Sequence, residues 1–254
     1  MQSIGSVWRL LAMSLVLSVV AVAPSVAGTT DDAVREAVAS GRTARIIMQF
    51  ATAAERDAAF TRLLDRGAAV RSVDTEAGPV LVVFGSAASF AGEISRASQV
   101  SLDAGVRVLA AQQPARDTSI VNKSSSNPNQ PDSINGSRGG FAVAIIDSGI
   151  APQADLPMSR IRAYKDFVTG GKTPVDPCGH GTHVAGIIAG SGAHSNGAYA
   201  GIAPDVDIVA VRVLGDDCSG NASDVIDALE CVARNHDLYK IKVVNLSLGH
   251  SVLE

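Results

Sequence analysis

The stretch FAVAIIDSGI, residues 141–150, decides how this sequence is read. Phe141 to Ile146 are apolar without alternation, and the run stops at Asp147-Ser148-Gly149. A strand with one wet face would alternate. A continuous run suits a strand buried on both faces of a parallel sheet, with helices packed above and below it. Open α/β sheets bind ligands outside the carboxyl ends of their strands, so the Asp147 carboxylate stands where chemistry is favoured. No glycine-rich phosphate turn follows the strand, which argues against a nucleotide site.

Working outward, GHGTHVAGIIAG at 179–190 reads as a turn leading into a helix packed closely through Ala and Gly. His180 opens that helix and faces the cleft. His183, three positions on, projects from the same side one turn deeper. The residues alone leave three readings open. In one, His180 and His183 with Asp147 hold a metal, although a further ligand at a convincing spacing is missing. In another, one histidine is a general base oriented by Asp147. In the third, both histidines are structural.

Composition narrows the function. Apolar residues make up 46% of the 254 and charged residues 18%, enough to bury a core and too apolar for global disorder. The net charge of −4 gives no electrostatic footprint for nucleic acid or an anionic membrane surface. All five His and all three Cys follow residue 177, which puts the chemistry in the second half.

The first 27 residues read as an export signal: Arg9, then an apolar run from Leu10 to Ala23, shorter than the ~20 residues of a membrane span. Ser25-Val26-Ala27 places cleavage before Gly28, and export puts the cysteines where disulfides persist. Residues 28–116 form a small α+β module. Strands are expected at Arg45–Phe50, Ala69–Val73, Pro79–Phe84 and Val106–Ala110, with helices at Ala53–Gly67 and Ser86–Gln99. The order β-α-β-β-α-β is the ferredoxin-like arrangement. No His, Cys or Lys falls between residues 28 and 117, so no catalytic or metal role is expected there. Residues 117–139, rich in Ser, Asn, Pro and Gly, read as a linker.

The motifs IIDSGI (145–150), GHGTHVAGIIAG (179–190), GIAP (201–204), VRVL (211–214) and VVNLSLG (243–249) resemble, in order and spacing, those of the subtilisin-like serine proteases. The resemblance implies a doubly wound α/β domain over 140–254, with the module before it as a propeptide that inhibits and assists folding. It implies Asp147 as the acid of an Asp-His-Ser triad and His180 as its general base, in the chain order of that family. The carboxylate would fix the imidazole tautomer and stabilise the imidazolium as it forms. His183 becomes structural on this view, and Ser148 supports the carboxylate locally.

The resemblance further implies binding of an extended protein or peptide substrate by strand addition. One wall is Cys218-Ser219-Gly220 and the other Ser247-Leu248-Gly249, with the protein's own propeptide in the cleft before self-processing between Ala110 and Arg138. A Cys178–Cys218 disulfide is implied, with Cys231 unpaired. No cofactor is expected, and no metal: calcium recurs in the family, but the loop from Ser191 to Ala200 has no carboxylate. The expected location is secreted or extracytoplasmic. The family's oxyanion Asn and nucleophilic Ser follow the SLG strand, whereas this sequence ends at Glu254, five residues after Gly249. The expectation is therefore the N-terminal part of such a protease, with an incomplete sheet and no activity as it stands. Two alternatives are a secreted module that inhibits a protease in trans and a metal-dependent hydrolase using the His pair.

Overall fold

The computed structural model describes residues 30–108 and 140–249. The expected export signal, the linker and the processing segment after Ala110 lie outside the described residues. The chain folds as two compact units, and the boundary between them follows Ala104.

The first unit runs α1 (Asp32–Ser40), β1 (Thr43–Gln49), α2 (Ala53–Asp65), β2 (Ala69–Thr75), β3 (Gly78–Ser86), α3 (Ala91–Ile94) and β4 (Gln99–Leu102). The strands form one sheet in the order β2-β3-β1-β4, every pair antiparallel. Alternation in β1 sends Ala44, Ile46 and Met48 inward. There they meet Leu63 of α2, Leu81 and Val83 of β3, and Phe90 in one core. A capping box starts α2: Thr52 Oγ1 accepts from Glu55 N, and Glu55 accepts from Thr52 N. The buried Glu93 is held by two bonds of 2.8 Å from Arg62.

Two expectations for this unit are corrected. The helix expected over Ser86–Gln99 is a 3₁₀ turn, Ala87–Phe90, followed by the single α turn of α3. The chain left over supplies the fourth strand at Gln99–Leu102, with Val100 buried, instead of at Val106–Ala110. Residues Gly105–Val108 form β5, which pairs elsewhere.

The second unit contains a four-stranded parallel sheet, β10-β6-β8-β7, from β6 (Ala142–Asp147), β7 (Ile161–Asp166), β8 (Asp207–Arg212) and β10 (Ile241–Leu246). All six residues of β6 are buried, which is why its sequence shows no alternation. Helix α4 (His180–Ala189) connects β7 to β8 and buries Ala185 and Ala189 against Val143, Ile145, Ile208 and Ala210. Helix α5 (Ala222–Asn235) precedes β10 and packs against β6, burying Val225, Ile226, Leu229 and Val232. Because β8 and β10 flank β6 on opposite sides, the strand order reverses at the carboxyl end of β6, where Asp147 lies. A second, antiparallel sheet in this unit places β5 between β9 (Ser219–Asn221) and β11 (Leu248–Gly249).

Candidate functional site

Asp147 is the last residue of β6 and fully buried. A buried carboxylate is costly unless hydrogen-bonded. Its Oδ1 accepts from the Ser148 amide at 2.7 Å, and its Oδ1 and Oδ2 lie 2.8 and 3.0 Å from His180 Nδ1. Nδ1 is thereby the donor nitrogen. Nε2 is left as the acceptor, on a side chain 23% exposed, and it has no hydrogen-bond partner among the described residues. A histidine whose inner nitrogen is fixed by a buried carboxylate and whose outer nitrogen is open can take a proton from a nucleophile and return it.

Two glycines let the elements approach closely enough for this contact. A Cβ on Gly181, in the first turn of α4, would lie 2.3 Å from Gly149 O. Gly149 itself has φ 122°, and a Cβ there would lie 2.0 Å from Val175 O. The turn after β6 and the start of α4 are thus in backbone contact, which carries His180 to Asp147.

Asp176 holds the same junction. Its Oδ1 accepts from Ser148 Oγ at 2.7 Å and Gly179 N at 2.9 Å. Its Oδ2 accepts from Thr182 N and Thr182 Oγ1 at 2.7 and 2.6 Å. Burial opposes its charge, yet the Thr182, Ser148 and Gly179 bonds outweigh burial and hold Asp176 below the ordinary carboxylate range. Sequence reasoning missed Asp176. The available signal was a capping residue type shortly before a helix start, but its partner Ser148 is 28 positions away. Ser148 supports Asp147 through its amide, while its hydroxyl serves Asp176.

The two histidines part company. His180 meets Asp147, whereas His183 lines a groove of about 460 Å³ with Gln153, Asp155, Ile187 and Tyr199. Among the described residues no group of three or more His, Cys, Asp or Glu is arranged to hold a metal ion.

The remaining sequence-derived residues converge on β5. Val106 and Arg107 pair with Gly220 and Ser219 on one side, and Arg107 and Val108 with Gly249 and Leu248 on the other. Val108 N donates to Cys218 O at 3.3 Å, and Val106 is buried. Gly220 is required by close packing, since a Cβ there would lie 2.3 Å from Val213 O. Ser247 follows β10 and accepts from Asn245 Nδ2 at 2.9 Å. A disulfide joins Cys178 to Cys218, Cα–Cα 5.4 Å, tying the segment before His180 to the strand beside β5. Cys231, on α5, is free and half-buried. On the far side of β8, the buried Arg212 bonds Leu214 O at 3.2 Å and pairs with Asp166 and Asp216 at 3.3 and 2.7 Å.

Comparisons with known proteins bear first on the second unit. Residues 138–253 match the subtilase family. The chain is 41% identical over 117 residues to the serine protease AprX of Bacillus subtilis (strain 168), covering 45% of this chain and 26% of that protein. It is 39% identical over 118 residues to a subtilisin of Bacillus sp. (strain TA39), covering 44% of this chain and 28% of that one. It therefore spans about a quarter of the length of these relatives. Among solved structures, fervidolysin from Fervidobacterium pennivorans, a keratinolytic enzyme related to subtilisin, aligns with 82% of this chain and 36% of its own, TM-score 0.54 at 17% identity, a likeness of fold.

The subtilase match corrects two expectations. The family region occupies the C-terminal portion of this chain, residues 138–253, where the motifs alone suggest a chain that is the N-terminal part of a protease. The expectation of an inactive fragment is corrected with it. That expectation rested on the residue at which the sequence stops, which is no measure of activity; the family match runs over residues 138–253, which include Asp147 and His180.

Proposed function

We propose that this protein is a secreted serine-type endopeptidase in which Asp147 is the triad acid and His180 the general base. The observation that carries the reading is the bond from His180 Nδ1 to a fully buried Asp147 at the carboxyl end of a parallel strand. Asp147 fixes the tautomer that leaves Nε2 free to accept a proton, and its charge stabilises the imidazolium formed when a serine hydroxyl attacks the peptide carbonyl. The same proton then goes to the leaving amine.

The substrate on this reading is a protein or peptide segment in extended conformation, bound as a strand between Ser219–Gly220 and Leu248–Gly249. Main-chain pairing of β5 with both segments supports it. The small first module is read as a ferredoxin-like propeptide. Its antiparallel β2-β3-β1-β4 sheet is consistent with that fold, and β5 is the tail it leaves in the cleft.

The test uses the secreted product of the whole gene. His180→Ala should abolish hydrolysis of casein and of fluorogenic peptides and leave the propeptide attached. Asp147→Asn, which presents the wrong tautomer, should lower kcat by about 10⁴-fold. Wild-type turnover by a correctly folded His180→Ala variant would refute the assignment.

A further inference from the structure

Asp176 is a carboxylate of the junction that the Asp147–His180 contact does not use. Its four bonds come from two places only: the turn after β6, through Ser148 Oγ, and the start of α4, through the N-cap Gly179 N and through Thr182 N and Thr182 Oγ1. Both hydroxyls in this set reach back across the junction. Ser148 Oγ accepts from Gly181 N at 2.9 Å, and Thr182 Oγ1 accepts from Ala151 N at 2.9 Å. Amides in a helix's first turn have no partner within the helix, and a carboxylate at that end satisfies them and opposes the positive end of the dipole. A cap serving stability alone would need only the α4 bonds. Here the same carboxylate also grips the residue next to Asp147.

We propose that Asp176 is a positioning residue for the acid–base pair, clamping the first turn of α4, which carries His180, onto the turn after β6, which carries Asp147. The proposal rests on the reading of Asp147 and His180 as that pair. The clamp matters for rate because His180 Nδ1 meets both carboxylate oxygens within 2.8–3.0 Å, an alignment that a small slide of α4 would lose. Asp176→Asn replaces an acceptor oxygen by an NH₂ facing the Thr182 amide. The junction loosens and His180 shifts from Asp147, while the segments read as the cleft walls stay in place.

The test compares Asp176→Asn, Thr182→Val and Asp155→Asn in the whole secreted protein, with rates expressed per titrated active site. Asp155 is the control. Its carboxylate accepts from His194 N at 3.0 Å and Ser191 Oγ at 3.4 Å, bonds to the loop after α4. Asp176→Asn should lower kcat about ten- to hundredfold with KM within about twofold, the size expected when a reacting group is displaced by about 1 Å. Thr182→Val, which removes one hydroxyl of the clamp and covers the case in which Asp176→Asn is not secreted, should lower kcat several-fold. Asp155→Asn should lower the thermal midpoint and leave kcat unchanged. Wild-type kcat in Asp176→Asn or, failing its secretion, in Thr182→Val would overturn the clamp, whatever the loss in thermal midpoint. If His180→Ala is inactive while the clamp variants are fully active, the clamp alone fails. If His180→Ala keeps full kcat, the acid–base reading itself fails.

Discussion

Removing the Cys178–Cys218 bridge should destabilise the protein by an amount that follows from where the bridge lies in the chain. The cysteines are 40 residues apart in sequence, and closing a loop of that length in the unfolded chain costs about 4 kcal/mol of chain entropy at 25 °C. The double variant Cys178→Ser/Cys218→Ser, made on a His180→Ala background to prevent self-digestion, frees the unfolded chain without leaving a reactive thiol at the site. Urea unfolding followed by far-UV circular dichroism should show a loss of about 3–4 kcal/mol. With a slope of about 2 kcal/mol/M, the midpoint should fall by about 2 M. The bridge also fixes Cys218, whose backbone has φ 62° and whose carbonyl accepts from Val108 N. With His180 restored, the same double variant should therefore raise KM for extended peptides several-fold. A stability change under about 1 kcal/mol, together with an unaltered KM, would refute both parts of this reasoning.

Further expectations concern the same junction. Gly181→Ala puts a Cβ 2.3 Å from Gly149 O, a backbone atom that cannot give way, so α4 must retreat from β6. The expected cost is about 1–3 kcal/mol in urea unfolding and about 10²-fold in kcat, and wild-type kinetics would show the close approach to be unimportant. Acid should unfold the second unit through Asp166 and Asp176. Burial opposes both charges, but hydrogen bonds outweigh it, helped for Asp166 by Arg212, so each is more acidic folded than unfolded. Their stabilisation is full above the ordinary Asp value of about 3.9 and is lost as pH falls through the lowered folded values. Urea midpoints measured downward from pH 5 should drop, and less so in Asp176→Asn; a flat profile would contradict it.

What the sequence disclosed depended on whether a feature was local. The unalternating run Phe141–Ile146 suits a strand covered on both faces, and β6 is buried throughout. The spacing of Val225, Ile226, Leu229 and Val232 in α5 follows the helical period that puts them on one buried face. By contrast, the strand expected at Val106–Ala110 as the fourth of the first module overlaps β5, Gly105–Val108, which pairs with β9 and β11, because a period of two does not name a partner. Helix α1 went unread because its inward face is only Val34 and Ala37, too small a stripe to show a period. The expected helix over 86–99 stops at Ile94, ahead of the polar Ser95 and Arg96 that begin the lead into β4. Asp147 and His180 stand out by residue type and position. Asp176 does not, since its role exists only once Ser148 and Thr182 are folded around it.

On the proposed reading, His180, oriented by Asp147, activates a serine for attack on peptide carbonyls. Labelling the secreted product of the whole gene with a fluorophosphonate, which reacts with activated serine hydroxyls, tests it most directly. Rapid, stoichiometric labelling of a single serine is expected in the wild type, slowed by several orders of magnitude in both His180→Ala and Asp147→Asn while circular dichroism is unchanged. Labelling of folded His180→Ala at the wild-type rate would contradict it.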